Sequence, residues 1–263
     1  MDYNVKCLHY VNGDTETRIY SRPIRIGVKK EEKKKEEKRT AQQTEEQKKR
    51  SAESSMNRTK NKIYEIARAN KWQWFLTLTF SQEEVDRYDY SACTKALSKW
   101  LNNIRRLAPD MVYLFVPEQH KDGAWHFHGV INHAEGIKIA PSGHYTKDNK
   151  PIYNVSSYSL GFSTATEVDN TDAVSRYITK YVTKDLCEHT KGKKRYWVSR
   201  NASRPIVQLF EMTGQETMVL TDELREDCQG EKFVQCPNTP RNIRYFQNAG
   251  LTICHEEIDI PDL

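Results

Sequence analysis

Apolar and polar positions form a few distinct patterns along the chain, and each predicts an element. From Met111 to Ile131 two apolar runs flank Lys121-Asp122-Gly123, and Asp-Gly between β-rich runs predicts an antiparallel hairpin. Earlier, Trp72 to Phe80 is apolar on both faces and rich in aromatic and β-branched residues, which marks a central strand. Alternation puts Trp74, Leu76, Leu78 and Phe80 on one side of it and Phe75, Thr77 and Thr79 on the other. Between these strands Leu97, Trp100, Leu101, Ile104 and Leu107 recur at helical spacing, so Tyr90 to Leu107 reads as an amphipathic helix that Pro109 stops. The order strand, helix, strand, turn, strand predicts an α+β fold, an antiparallel sheet with helices on its faces.

Other stretches are less periodic. Val5 to Val11 and Thr17 to Ile26 are β-like around the turn Asn12-Gly13-Asp14 and predict a small hairpin. Val28 to Arg50 is almost entirely Lys, Glu, Arg and Gln with no apolar stripe, the composition of a solvated helix or disordered arm. After it Met56, Ile63, Ile66 and Ala67 open an amphipathic face that ends near Asn70. Residues 133–159 carry many Gly, Pro, Ser, Asn and Tyr and read as a long loop, with Leu160 to Val168 returning as an edge strand. Thr171-Asp172 opens a further helix, with Asp172 suited to its N-terminus. The resulting organisation is a β-like segment at 1–28, a charged arm at 29–70, a principal domain at 71–200 and an acidic segment of unassigned role at 201–263.

Charge sharpens this picture. Residues 29–71 carry 15 Lys or Arg against 8 Asp or Glu, whereas 207–263 carry 4 against 11. A basic arm, a mildly basic centre and an acidic tail suit a nucleic-acid partner, with the tail restraining non-specific binding. No apolar run approaches the roughly 20 residues that span a bilayer, and the N-terminus lacks the regions of a secretory signal, so the expected location is cytoplasmic with no membrane partner. The six cysteines form no Cys-x-x-Cys pair and read as free thiols; Cys228, Cys236 and Cys254 beside His255 have a spacing that fits no common zinc site.

Two clusters carry chemistry. On the second strand of the hairpin His126 and His128 share a face, and a turn about Asp122 sets Glu118 across from His126. Two imidazoles and a carboxylate on one rigid surface suit a divalent cation with open positions, and His120 competes with Glu118 for the third place. In the later helix Tyr177, Lys180, Tyr181 and Lys184 fall at i, i+3, i+4 and i+7, beside an apolar stripe of Val174, Ile178 and Val182 that can dock on the sheet. A phenol is a weak nucleophile at its ordinary pKa of about 10, and a neighbouring ammonium or metal favours phenolate.

The run Glu118, His120, Asp122, Gly123, His126, Phe127, His128 resembles the metal-binding motif of the HUH endonucleases. The Leu-Thr-Leu-Thr strand at 76–79 is similar to the first motif of HUH replication initiators, and Tyr177 and Tyr181 resemble the tyrosine pair of the initiators of isometric single-stranded DNA phages. From Trp72 to Tyr196 the chain therefore resembles a rolling-circle replication initiator of the HUH superfamily, nearest to phage and bacterial types related to the filamentous-phage gene II protein. The resemblance implies a ferredoxin- or RRM-like core and a site holding Mg²⁺ or Mn²⁺ on Glu118, His126 and His128. It further implies nicking and joining of single-stranded or origin DNA through a 5′-phosphotyrosine on Tyr177 or Tyr181, with Lys180 and Lys184 assisting. Arg105, Arg106, Lys193, Lys194 and Arg195 are candidate contacts to the DNA backbone. No Gly-x-x-x-x-Gly-Lys-Ser/Thr loop occurs, so no nucleotide cofactor is expected and a host helicase and polymerase would be partners. The alternatives are a single-tyrosine HUH transposase, in which Tyr181 is dispensable, and a catalytically silent DNA-binding protein of replication control. A zinc hydrolase would leave the Tyr/Lys stripe unexplained.

Overall fold

The computed structural model describes residues 2–26, 45–133, 136–235 and 241–249. The chain folds as two compact units, Lys48–Arg204 and a second unit that joins the chain before it to the chain after it. Both are built on antiparallel sheets with a few helices, so the α+β class expected from the pattern is the observed one.

In the terminal unit, strands β1 (Asp2–His9) and β2 (Asp14–Arg25) form the expected hairpin. Gly13 permits the turn with a φ of 87°. The partners of this hairpin come from the other end of the chain. β10 (Ile206–Phe210) pairs with β1, matching Val5 to Phe210, and β12 (Asn242–Ala249) pairs with β2, matching Tyr20 to Ile243. β11 (Cys228–Gln235) completes the sheet in the order β10-β1-β2-β12-β11. Segments that read as separate in the sequence thus share one sheet, because a lone hairpin leaves both of its edges unpaired. Helix α5 (Gly214–Glu226), begun by a reciprocal cap between Thr213 and Glu216, adds Leu220 and Leu224 to a core with Val5, Cys7, Phe210 and Phe246. Cys228 is a half-buried free thiol here; Cys236, Cys254 and His255, like the greater part of the charged arm, lie outside the described residues.

The larger unit is a seven-stranded sheet in the order β6-β7-β8-β3-β5-β4-β9. β3 (Trp74–Phe80) occupies the interior between β5 (Trp125–Ile131) and β8 (Gly161–Glu167), as its two-sided apolarity requires. β4 (Tyr113–Gln119) pairs with β5 in the register that sets Glu118 opposite His126, and β9 is the short pair Trp197–Val198. Helix α2 (Tyr90–Leu107), capped by Asp89, covers the sheet face of Leu76, Leu78 and Phe80 with Leu97, Trp100, Leu101 and Ile104. Leu107, expected on that apolar stripe, is exposed in the last turn. Gly129 is required beneath Phe115, because a Cβ there would stand 2.1 Å from the ring atom Cδ1.

The stretch 133–159 is not the loop its composition suggested. β6 (Ile139–Tyr145) and β7 (Pro151–Val155) form a hairpin in it, with a register shift between Pro141 and His144 and a turn in which Asn149 takes a φ of 59°. Most of β6 is exposed, so backbone pairing rather than a buried apolar face holds it and no hydrophobic period announces it. With this hairpin at the margin, β8 becomes an internal strand instead of the expected edge. Helix α1 (Glu45–Arg68) lies along the unit with Ile63, Ile66 and Ala67 in the core. Among the described residues no helix is long and apolar enough to cross a membrane.

Candidate active site

The sheet face opposite α2 presents alternate residues of its three central strands. On β3 these are Phe75, Thr77 and Thr79, and cross-strand pairing puts Thr77 beside His128 and Thr79 beside His126. Each hydroxyl meets an imidazole: Thr77 Oγ1 and Thr79 Oγ1 lie 3.1 Å from Nδ1 of His128 and His126 respectively. The two rings are thereby oriented with Nε2 away from β3. Nε2 of His128 donates to Oε2 of Glu118 at 2.7 Å, a diagonal contact from the next strand.

That contact sets the tautomer. A carboxylate only accepts, so Nε2 of His128 carries a proton, and in the neutral ring Nδ1 accepts from the hydroxyl of Thr77. Since a hydroxyl both donates and accepts, Thr77 can equally receive a proton from Nδ1 and leave Nε2 bare. The hydrogen bond to His128 is the chief reason the Glu118 carboxyl is held below its ordinary range. Burial, then the neighbouring His120 and His128, lowers the pKa of His126 and keeps its imidazole neutral. His120 stands with its ring centre 5.2 Å from that of His126 and its Nδ1 3.6 Å from Asp122.

Among the described residues no three His, Cys, Asp or Glu side chains stand together as a ready metal cage, because Glu118 and His128 hold each other. The donor set nevertheless fits a divalent ion: two neutral imidazoles and one ionised carboxylate, with each ring supported at Nδ1 by a hydroxyl.

The tyrosines arrive from one segment that is not a single helix. α3 (Thr171–Ile178) starts at an Asn170 cap, with Asp172 in its first turn. It gives way to a 3₁₀ turn at Thr179–Tyr181, and after an extended Val182 the short α4 (Lys184–His189) begins. Ile178 and Val182 are buried and Val174 packs against the core, as the apolar stripe requires. The ring of Tyr181 stacks on His128, with centroids 3.6 Å apart and planes 11° from parallel. Phe75 meets the ring of Tyr177 edge-on at 5.4 Å. Tyr181 donates its hydroxyl proton to the Tyr177 oxygen at 3.0 Å, so the two phenols and the histidine face form one cluster. Burial, followed by the contact with Tyr177, raises the pKa of Tyr181; no lysine contributes to lowering it.

The break in the helix parts the two lysines. Nζ of Lys180 lies 4.9 Å from the Tyr177 ring centre, whereas Lys184, expected on the same stripe, turns to Glu53 of α1 at 2.6 Å. An uninterrupted helix would have kept them together; one tighter 3₁₀ turn and an extended residue are enough to rotate Lys184 away. Of the proposed backbone contacts, Arg105 and Arg106 are exposed in the last turn of α2. Lys193 lies over the Tyr90 ring and Lys194 over that of Trp197. Arg195 is otherwise engaged: it donates to Thr190, Ser55 and the Cys187 carbonyl and so ties α1 to the chain around α4. Thr77, Thr79 and Phe75 are the members of the site that spacing alone did not assign. Their signal was the polar side of the Leu-Thr-Leu-Thr strand, which acquires meaning only once β3 is paired with β5.

Residues 73–186, less than half of the chain, match the family model described as Replication-associated protein ORF2/gene II protein. The matched span contains the histidine pair, Glu118 and both tyrosines, and it supports a replication-initiator role of the rolling-circle type and, with it, DNA binding. No curated protein and no solved structure matches the chain.

Proposed function

We propose that the unit Lys48–Arg204 nicks and rejoins single-stranded DNA at a replication origin, using a tyrosine nucleophile and a divalent metal. The observation that carries this reading is the stacking of Tyr181 on His128 with Tyr177 hydrogen-bonded beside it, which joins a nucleophile pair to a candidate ligand set.

Glu118, His126 and His128 would hold Mg²⁺ or Mn²⁺, which when bound supplies Lewis-acid stabilisation of charge on the scissile phosphate. Thr77 and Thr79 orient the imidazoles throughout. Tyr177 is the phenol open to an incoming strand, with 42% of its surface exposed, and its oxygen already accepts a proton from Tyr181. We assign it the first attack. Its phenol gives up a proton, its oxygen bonds to phosphorus, the bond from phosphorus to the 3′-oxygen breaks, and that oxygen takes up a proton. One phosphoester replaces another, so the energy for rejoining is kept in the 5′-phosphotyrosine. The free 3′-hydroxyl can prime a polymerase, and Tyr181 is available for a second cut that resolves the first linkage. Lys180, beside Tyr177, favours the developing negative charge.

The test is denaturing electrophoresis of labelled origin-containing single-stranded DNA after incubation with Mn²⁺ or EDTA. A metal-dependent, SDS-stable adduct is expected from the parent protein, lost in Tyr177→Phe and His126→Ala and retained for a single round in Tyr181→Phe. Binding without any adduct on either strand would leave a catalytically silent DNA-binding protein instead. An adduct lost only in Tyr181→Phe would reverse the order of the tyrosines.

A further inference from the structure

The exposed face of α2 carries a stripe that the nicking reading does not use. Lys95, Lys99, Asn102, Asn103 and Arg106 fall at i, i+4, i+7, i+8 and i+11, so they lie on one side of the helix. With Lys194 they line a shallow groove of about 730 Å³. The helix has no Asp or Glu from Tyr90 to Leu107, although the chain holds 36 acidic residues. Among the described residues none of these four cations is paired with a carboxylate, unlike Lys150, which pairs with Asp169, and Lys184, which pairs with Glu53.

The position of the stripe matters as much as its charge. α2 covers the sheet face of Leu76, Leu78 and Phe127, while His126, His128 and the tyrosines occupy the other face. A strand bound at the tyrosines therefore cannot also be the ligand of the groove without passing around the sheet. We infer that the α2 stripe is a second DNA surface, one that binds the phosphate backbone of duplex DNA on the side of the sheet opposite the tyrosines.

Duplex rather than single-stranded DNA follows from what the stripe lacks. Sequence-tolerant single-strand binding relies on exposed aromatic platforms. Here the one aromatic side chain in the groove, Trp197, is buried to 5% exposure and Lys194 lies over it. What remains are ammonium, guanidinium and amide donors, which contact phosphate and do not read bases. Residues 95 to 106 span roughly 16 Å of helix, about the length of five phosphates on one strand of a duplex. During initiation at an origin such a surface would hold the uncut duplex while the extruded strand occupies the opposite face; this use rests on the proposed nicking reaction, whereas the binding itself does not.

The experiment measures affinity of the full chain for a short random-sequence duplex across a salt series, in EDTA so that no cutting contributes. Lys95→Ala/Lys99→Ala is expected to weaken duplex binding roughly tenfold or more and to reduce the slope of log K against log salt by about 2. Adduct formation on a single-stranded oligonucleotide should stay at the parent level. Unchanged duplex affinity and slope in the double variant would overturn the inference. So would equal loss of single-strand adduct formation, since one DNA path would then serve both faces. Thermal melting of the variant shows that any loss is not unfolding, and Lys95→Arg/Lys99→Arg should restore the slope. A parent protein that binds duplex through the stripe yet never forms an adduct would refute the nicking proposal alone.

Discussion

Replacing Thr77 by Val keeps the shape of the side chain and removes the hydroxyl that lies 3.1 Å from Nδ1 of His128. Two effects follow, and they differ in size. His128 is 8% exposed, so its Nδ1 loses a partner with little access to water, and the fold is expected to lose about 1–3 kcal/mol. The second effect falls on the proposed metal. To bind an ion His128 must release Glu118, bare its Nε2 and carry its proton on Nδ1, and Thr77 is the group that accepts that proton. Loss of such a supporting hydrogen bond typically weakens metal binding by about 10- to 100-fold, or about 1.4–2.8 kcal/mol. Isothermal titration with Mn²⁺ measures this without any DNA, with His128→Ala as the non-binding control. Thr79→Val tests the same logic at His126, where the hydroxyl stands at the same distance but no carboxylate competes for Nε2. A Thr77→Val protein that binds Mn²⁺ within about twofold of the parent while retaining a folded melting transition would refute this role, because the hydroxyl would then have no part in preparing the ligand.

Three further outcomes follow from the packing. Gly129→Ala would set a Cβ 2.1 Å from the Phe115 ring in a buried strand pair, so melting should show a loss of about 1–3 kcal/mol or more, and restoration by Phe115→Leu would confirm the clash as its cause. Arg195→Ala should destabilise by about 2–3 kcal/mol in denaturant unfolding, since its guanidinium donates to Ser55, Thr190 and Cys187, and an unchanged salt slope for DNA binding would separate this bracing role from a phosphate contact. Lys184→Ala breaks a pair whose lysine side chain is 53% exposed and should cost under about 1 kcal/mol; adduct formation should persist in it and fall in Lys180→Ala, and the reverse ranking would contradict the geometry around Tyr177.

Local pattern was enough wherever an element and its buried face lie close together in the chain. The β3 run, the α2 helix and the hairpin about Asp122 are of this kind, because an alternating or helical period within seven to eighteen residues reports one apolar face. The pairing of Glu118 with the histidine strand was legible for the same reason: a short turn sets the register of the two strands it joins. Where little is buried the period vanishes, and β6 with β7 was concealed among Gly, Pro and Ser because backbone hydrogen bonds, not side chains, hold most of that hairpin.

The amino-acid sequence by itself determined the α+β class, the hairpin that carries His126 and His128, and the proximity of Tyr177 to Tyr181. Tertiary structure decided everything that depends on partners distant in the chain. It brought Thr77 and Thr79 to the imidazoles across some fifty residues, laid Tyr181 on His128, and turned Lys184 toward Glu53. It also closed the terminal sheet by pairing Val5 with Phe210. The physical reason is one of range: a period reports the face a segment buries, but the neighbour that covers that face, and the hydrogen bonds made there, are chosen only when the whole chain has closed around it.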